Sequence, residues 1–310
     1  MQKFLILLLF LATTLLNADL KITTGGENGT YIQIANDIKK MCEKDYLNAT
    51  LDVLKSEGSF DNYKRLIANK ADFGLVQYDF LLYTKMYNGD IDKIKMIYPL
   101  YKEELHIIVR KDANIKSLSD LNGKRVLIGT KNSGSWITAN LMKTLAKLNW
   151  KPIEIGGREG IDYLNGEKAD AMIYVAGRPA KLLDFAKKSF LIFDFTKLEL
   201  LSFRDKTIEK IYQPTVIPAN TYEMESRDIK TYATKSILVS SGSADYNAVK
   251  MLSKCIDENI EELRKNGHKK WKEVKIGLNR YLKWKYHKAT SDYLNSKEQE
   301  KSKIIREFNK

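Results

Sequence analysis

Leu20-Lys21-Ile22-Thr23-Thr24-Gly25-Gly26-Glu27-Asn28-Gly29-Thr30-Tyr31 is the stretch on which the fold turns. Leu20 to Thr23 alternates apolar and polar residues as a short strand does. From Thr30 onward Tyr31, Ile34, Ala35, Ile38 and Met41 recur at helical spacing. The glycines between them permit a tight turn and let bare backbone N–H groups approach a ligand. Those groups stand at the positive end of the helix dipole, where an anion is stabilised. A structural corner with no ligand has the same pattern, so the rest of the chain must decide.

Working outward, Thr50 to Leu54 predicts a strand, Phe60 to Asn69 a helix, Phe73 to Val76 a strand and Asp79 to Tyr87 a helix. Ile94 to Leu100 and His106 to Val109 read as two further strands. A second run follows: Arg125 to Gly129 a strand, Trp136 to Leu148 a helix, Ile153 to Ile155 a strand, a helix around Gly160 to Leu164, and Ala171 to Val175 a strand. This alternation predicts an α/β chain with mostly parallel sheets. No Pro/Gly/Ser linker separates the runs, so the lobes are expected to be joined by structured crossings. Tyr212 to Tyr222, with Pro214 and Pro218, is the expected return crossing. Lys230 to Val239 reads as a strand and Ala244 to Arg264 as one long helix.

Ligands of α/β sheets bind beyond the carboxyl ends of the strands, where the strand-to-helix turns gather. Besides the first turn, Ser56-Glu57-Gly58-Ser59 and Thr130-Lys131-Asn132-Ser133-Gly134-Ser135 stand at such joins. Candidate contacts are therefore Gly26, Gly29, Thr30, Tyr31, Ser59, Ser133, Gly134 and Ser135. Capping alone would also explain Ser59 and Ser133. Gln77, just past an apolar strand, both donates and accepts; Asp79 reads as a helix N-cap. Arg178, in Gly177-Arg178-Pro179, has the fork geometry for a carboxylate.

Residues 1–18 read as a secretory signal cleaved near Ala18: Lys3 is its only charge and Phe4 to Leu16 is apolar. That run is shorter than the roughly 20 residues a membrane-spanning helix needs. The mature chain is expected to be periplasmic. The net charge of +13 is concentrated at the end, where Arg264 to Lys310 holds 15 Lys/Arg against 5 Asp/Glu. The near-neutral body argues against nucleic-acid binding. Trp271, Tyr281, Trp284 and Tyr286 predict that the basic end packs back on the first lobe, with contact to an anionic membrane surface as the alternative. Cys42 and Cys255 are the only cysteines, and a disulfide and two buried thiols are both open. His106, His268 and His287 lack metal-ligand spacing, and neither a phosphate loop nor a GxSxG turn occurs. No enzyme, metal or cofactor is expected.

The order of motifs resembles the TAXI solute receptors of TRAP-type transporters. It is carried by Thr24-Gly25-Gly26 through Gly29-Thr30-Tyr31, Glu57-Gly58-Ser59 with Asn62, Ala71-Asp72-Phe73-Gly74, and Leu100-Tyr101 with Glu103. Asp120-Leu121-Asn122-Gly123-Lys124, Ser133-Gly134-Ser135, Ala176-Gly177-Arg178-Pro179 and Ile217-Pro218-Ala219-Asn220 continue it. The resemblance implies a two-lobe periplasmic-binding-protein type 2 fold with the ligand between the lobes. Lobe 1 would comprise 19–104 plus 220–310, and lobe 2 105–219. It implies a receptor for a small organic anion such as glutamate or 2-oxoglutarate, delivered to a TRAP-type permease; a monomer is expected. Its implied contacts are the Gly26 to Tyr31 cradle, Ser59, Gln77, Ser133 to Ser135, and Arg178. Service to a sensor or an ABC-type importer is the alternative, and a secreted hydrolase using Ser133 or Ser135 stands far behind. Trp136 is expected to narrow the pocket or stack on a ligand.

Overall fold

The structure is a computed structural model that describes residues 19–87, 89–186, 190–192, 211–279 and 281–308. The expected leader lies outside the described residues. Leu20–Thr23 is β1, and the glycine turn leads into α1, Thr30–Cys42, which buries Ile34, Ala35 and Ile38. Then come β2 (Leu51–Leu54), α2 (Ser59–Ile67), β3 (Phe73–Gln77) and α3 (Tyr78–Tyr87). β4 runs from Ile94 to Arg110, followed by β5 (Arg125–Leu127), α4 (Gly134–Leu145), β6 (Lys151–Ile153), α5 (Gly157–Asn165) and β7 (Ala171–Ala176). Phe190–Ile192 is β8, Gln213–Ile217 β9 and Ile229–Ser241 β10. The helices α6 (Tyr246–Glu258), α7 (Ile260–Asn266) and α8 (Lys288–Phe308) complete the described chain.

The strands form one mixed sheet in the order β2-β1-β3-β10-β4-β7-β5-β6, with β8 on β4 and β9 on β10. β1 runs parallel to β2 and β3 at one end, and β5 runs parallel to β6 and β7 at the other. β10 and β4 are antiparallel to each other and to their outer neighbours, and pass through both halves. This gives two lobes that share two long strands. Each half is covered on both faces. Ile22, Phe73 and Leu75 pack on α1, and Val76 and Val239 pack with Leu66 and Phe80. In the second half Ile107 and Val126 meet Ala139 and Met142, while Ile108 and Met172 meet Ile161 and Leu164. Each such aliphatic side chain contributes about 1.5–3 kcal/mol by leaving water.

Three expectations are corrected here. The two strands expected between Ile94 and Val109 are one, because Tyr101, Glu103 and Glu104 are buried despite the charges and the strand pairs on into β7 from Glu104. The backbone N–H of Lys102 is taken by Glu273 at 2.9 Å. Tyr212 to Tyr222 is not the return crossing. Its strand, β9, is an edge partner of β10, where Pro214 costs no ladder bond, and β10 itself makes the crossing. The long helix expected from Ala244 to Arg264 divides at Asn259, whose amide reaches back to the Cys255 carbonyl at 2.9 Å.

The basic end packs on the first lobe, as its aromatic residues predict. Trp271 is fully buried and its indole N–H donates to Asp37 at 2.8 Å; that of Trp284 donates to the Ile94 carbonyl at 3.1 Å. Tyr281 is the exception, standing 93% exposed. Cys42 and Cys255 form a disulfide with Cα atoms 5.7 Å apart, so α1 and α6 are neighbours.

Candidate functional site

Four helices begin around one cleft of about 380 Å³ between the halves of the sheet. α1 starts after Gly29, whose N–H donates to the Gly26 carbonyl at 2.9 Å, and no side chain caps it. α2 starts after Gly58, held at φ +102°, a conformation suited to glycine, and is likewise uncapped. α4 has Ser133 as its N-cap, accepting from the Trp136 N–H at 3.3 Å. α5 starts after Gly156 with no side-chain cap. The first-turn N–H groups of three of these helices thus lack a capping side chain, and their dipoles add at one volume. The fourth turn, Gly156-Gly157-Arg158, went unread in the sequence. Its paired glycines are the signal in the sequence, and β6 before it ends at Ile153, two residues earlier than the Ile155 expected.

The loops are held in register by Asn62, which is fully buried in α2. Its carboxamide oxygen accepts from Thr23 (2.7 Å) and Ser56 (2.6 Å), and its amide donates to the carbonyls of Thr24 (2.5 Å) and Leu75 (2.6 Å). One side chain therefore ties the ends of β1 and β3 to the turn after β2.

Gly26, Gly29, Thr30 and Tyr31 line the cleft on one side together with Ser59 and Gln77, and Ser133, Gly134 and Ser135 line it on the other. The Ser59 hydroxyl accepts from the Gln77 backbone N–H at 3.1 Å, fixing α2 to the end of β3. The Ser135 hydroxyl accepts from the Val175 N–H at 3.0 Å, fixing α4 to β7. Two contacts cross the cleft. Thr30 donates its hydroxyl hydrogen to the Gly177 carbonyl at 3.2 Å. Gln77 lies so close over Gly134 that a Cβ there would stand 1.5 Å from its Oε1. The two walls therefore touch across the cleft.

Arg178 does not join them. Its backbone N–H and its Nε both donate to Glu104, each at 3.0 Å, so the carboxylate it serves is the protein's own. Glu104 is fully buried and also takes Lys270 at 2.7 and 2.9 Å, and Lys270 in turn reaches Glu273 at 2.8 Å. The guanidinium among the cleft-lining residues is that of Arg158, stacked 4.0 Å over Phe185 with its Nε on Asp162 at 3.1 Å. Trp136 neither narrows nor lines the cleft; its indole N–H donates to Glu154 at 2.8 Å. Asp79 is no N-cap: it lies inside the first turn of α3, buried, and accepts from Thr138 (2.6 Å) and Tyr212 (2.9 Å).

The cleft floor is polar and under-satisfied. Tyr31, Gln77, Tyr101 and Glu103 are all buried, and Tyr31 Oη, Gln77 Nε2, Tyr101 Oη and Glu103 Oε1 make no hydrogen bond of standard geometry within the protein, although the Tyr31 and Ser236 hydroxyls lie close enough to Glu103 to act on its carboxyl. Each such atom costs about 1–3 kcal/mol when left unpaired. Burial pushes the Glu103 carboxyl up to about 8; the nearby hydroxyls of Tyr31 and Ser236 pull the other way and Asp79 and Glu104 add to the rise. Tyr101 and Glu103 entered the sequence reading only as marks of resemblance, because charged and phenolic residues inside a strand carry no pattern of their own. His106 is a packed residue: its Nε2 lies 2.9 Å from the Tyr222 hydroxyl and burial lowers it to about 4. Among the described residues no group of three or more His, Cys, Asp or Glu is placed to hold a metal ion.

Two lobes on a shared mixed sheet, with helix N-termini facing a cleft between them, define the periplasmic-binding-protein type 2 fold. The chain belongs to the NMT1-like family, whose model matches residues 22–294. Among solved structures it is similar to a Xanthomonas citri protein bound to ATP, with 9% identity over 90% of this chain and 98% of that one and a TM-score of 0.54. It is also similar to the GluR0 ligand-binding core of Nostoc punctiforme in complex with L-glutamate (16% identity, 78% and 93% covered, TM-score 0.47). An amino acid ABC transporter substrate-binding protein of Streptococcus pneumoniae bound to L-arginine shares 16% identity over 82% and 95%, with a TM-score of 0.48.

Proposed function

We propose that this chain is an extracytoplasmic, non-enzymatic receptor that captures a small carboxylate-bearing solute by closing its two lobes. The observation that carries the reading is the convergence of four helix N-termini, three without a side-chain cap, on one closed cleft. Such a cradle stabilises negative charge without any cationic side chain. The Cys42–Cys255 disulfide fits an oxidising compartment. Against a hydrolase, the Ser133 hydroxyl caps α4 and that of Ser135 accepts from Val175, so both are in structural use. The solute would be bound by contacts made in the closed form, which is how a ligand shifts a two-state receptor.

The resemblance to TAXI receptors points to a TRAP-type permease as the membrane partner. An ABC-type importer or a sensor is the second reading, which the type 2 fold serves equally. A thermal-shift screen of small mono- and dicarboxylates and amino acids tests the receptor: at least one is expected to raise the Tm by several degrees. No shift from any of them, with the protein folded, would sink the reading. Uptake into liposomes holding the permease, driven by an ion gradient rather than by ATP, then separates the two partners.

A further inference from the structure

The crossing strands carry a second cavity, on the face of β4 turned away from the cleft. Successive side chains of a strand point to opposite faces. Tyr101 and Glu103 line the cleft, whereas Leu100 and Lys102 line this cavity of about 830 Å³. Lys235 on β10, Arg178 in the loop after β7 and Lys275 in the C-terminal segment complete a wall of four cations. Glu273 is the one acid lining it among the described residues, and its charge is already in use. Its oxygens accept from Lys270 at 2.8 Å and from the Lys102 backbone N–H at 2.9 Å. The cations, by contrast, are short of partners. Lys102 and Lys235 stand directly opposite each other in the β4–β10 ladder, a position that like charges disfavour. Among the described residues neither ammonium, nor that of Lys275, forms an ion pair, and Lys235 reaches only the Leu100 carbonyl, at 3.2 Å. Arg178 gives Glu104 its backbone N–H and its Nε, so the two terminal nitrogens of its fork stay unbonded among the described residues.

We propose that this cavity is a second anion site, which takes a doubly charged, phosphate-type oxyanion between Lys102, Lys235 and the Arg178 fork. A tetrahedral dianion offers separate acceptor oxygens to two ammonium groups and a guanidinium. A lone carboxylate has one charge to set against three. The site uses other residues than the receptor cleft, on the other face of the shared strands, and stands whether or not that reading holds. The groups facing the Lys235 ammonium are Lys102 on β4, Arg178 after β7, and Lys270, Glu273, Lys275 and Tyr281 of the C-terminal segment. Burial pulls Lys235 down to about 8; Glu273 opposes this, and Lys102, Lys270 and Lys275 add to it. A bound anion holds the ammonium charged. Binding therefore takes up a proton around that pH and weakens as pH rises through it.

Isothermal titration of the full chain with inorganic phosphate and with sulfate tests the site. Sulfate keeps its double charge throughout, so its pH profile reports the protein alone. Its affinity is expected to fall about tenfold from pH 7 to pH 9. Lys235→Gln should weaken binding at least tenfold and flatten the profile, and Lys275→Gln should weaken it severalfold with the profile kept. Lys301→Gln, on the exposed end of α8, removes the same net charge elsewhere and should change nothing. Should Lys235→Gln not fold, the Lys275 variant and the pH series on the unaltered chain decide. Co-sedimentation with phosphatidylcholine vesicles, with and without phosphatidate, separates the sources. Capture that needs phosphatidate and is lost in Lys235→Gln marks a lipid headgroup, and phosphate binding without it marks a soluble phosphate. Absence of binding by either anion overturns the site, as does equal weakening by Lys301→Gln. Binding that survives Lys235→Gln but is lost in Gly134→Ala places the anion in the cleft and overturns it too. The carboxylate screen reads the receptor separately from all of these.

Discussion

Gly134 carries no side chain, and the carboxamide of Gln77 occupies the space one would take. The two residues belong to opposite walls of the cleft, next to the Thr138–Asp79 hydrogen bond that joins α4 to α3. Gly134→Ala is expected to displace the Gln77 carboxamide and to weaken binding of whichever solute the screen identifies by at least tenfold. Thermal unfolding and titration measured side by side check it, and an unchanged affinity would show that Gln77 yields freely. At this scale the sequence was informative where chemistry follows a backbone pattern. The glycine turns and Gln77 were legible because spacing alone marks the ends of strands. Glu103 and Arg158 were not, since nothing local distinguishes a buried carboxyl in a strand from a solvated one, or a cleft arginine from a surface one. Arg178 misled for the same reason: its partner Glu104 lies far away in sequence and meets it only in the folded sheet.

At the scale of elements, β4 and β10 decide what the cleft rests on. The register between them slips at Lys235/Ile237 and at Leu238/Val239, beside Pro99, near the level where Tyr101 and Glu103 form the floor. Bulges of this kind increase local twist and re-aim side chains. The strands are braced there by the buried pairs of Glu104 with Lys270 and Arg178, which join β4, the loop after β7 and the basic C-terminal segment. Removing one partner of a buried pair strands the other, at about 3–5 kcal/mol. Lys270→Met should cost roughly 3 kcal/mol, toward the low end of that range because Arg178 remains; a urea titration showing under about 1 kcal/mol would dismiss the brace. The helices and the outer strands were legible from periodicity. The crossing was not, because Lys102, Glu103 and Glu104 break the apolar run of β4, and Glu104 is buried against Lys270 and Arg178, both distant in sequence.

For the whole molecule, the disulfide closes a loop of 213 residues between α1 and α6. Loops of this length give about 5 kcal/mol in the chain-entropy account, an upper figure when the reduced chain keeps residual structure. Replacing both cysteines by alanine is expected to lower stability by about 2–5 kcal/mol. Solute affinity should hardly change, since Cys42 sits at the other end of α1 from Thr30, about 18 Å along the helix. A loss of affinity greater than tenfold would instead place the bridge in the closing motion.

β10 lies between β3 and β4 in space but follows both by a long stretch of chain, with Leu238 opposite Leu75 on one side and Tyr98 on the other. A growing chain that has not yet reached Ile229 has nothing to hold those two strands together. The facing edges of β3 and β4 both wait for the same late strand. A chain cut short of Ile229 would thus lack the strand that sets the two walls of the cleft opposite each other.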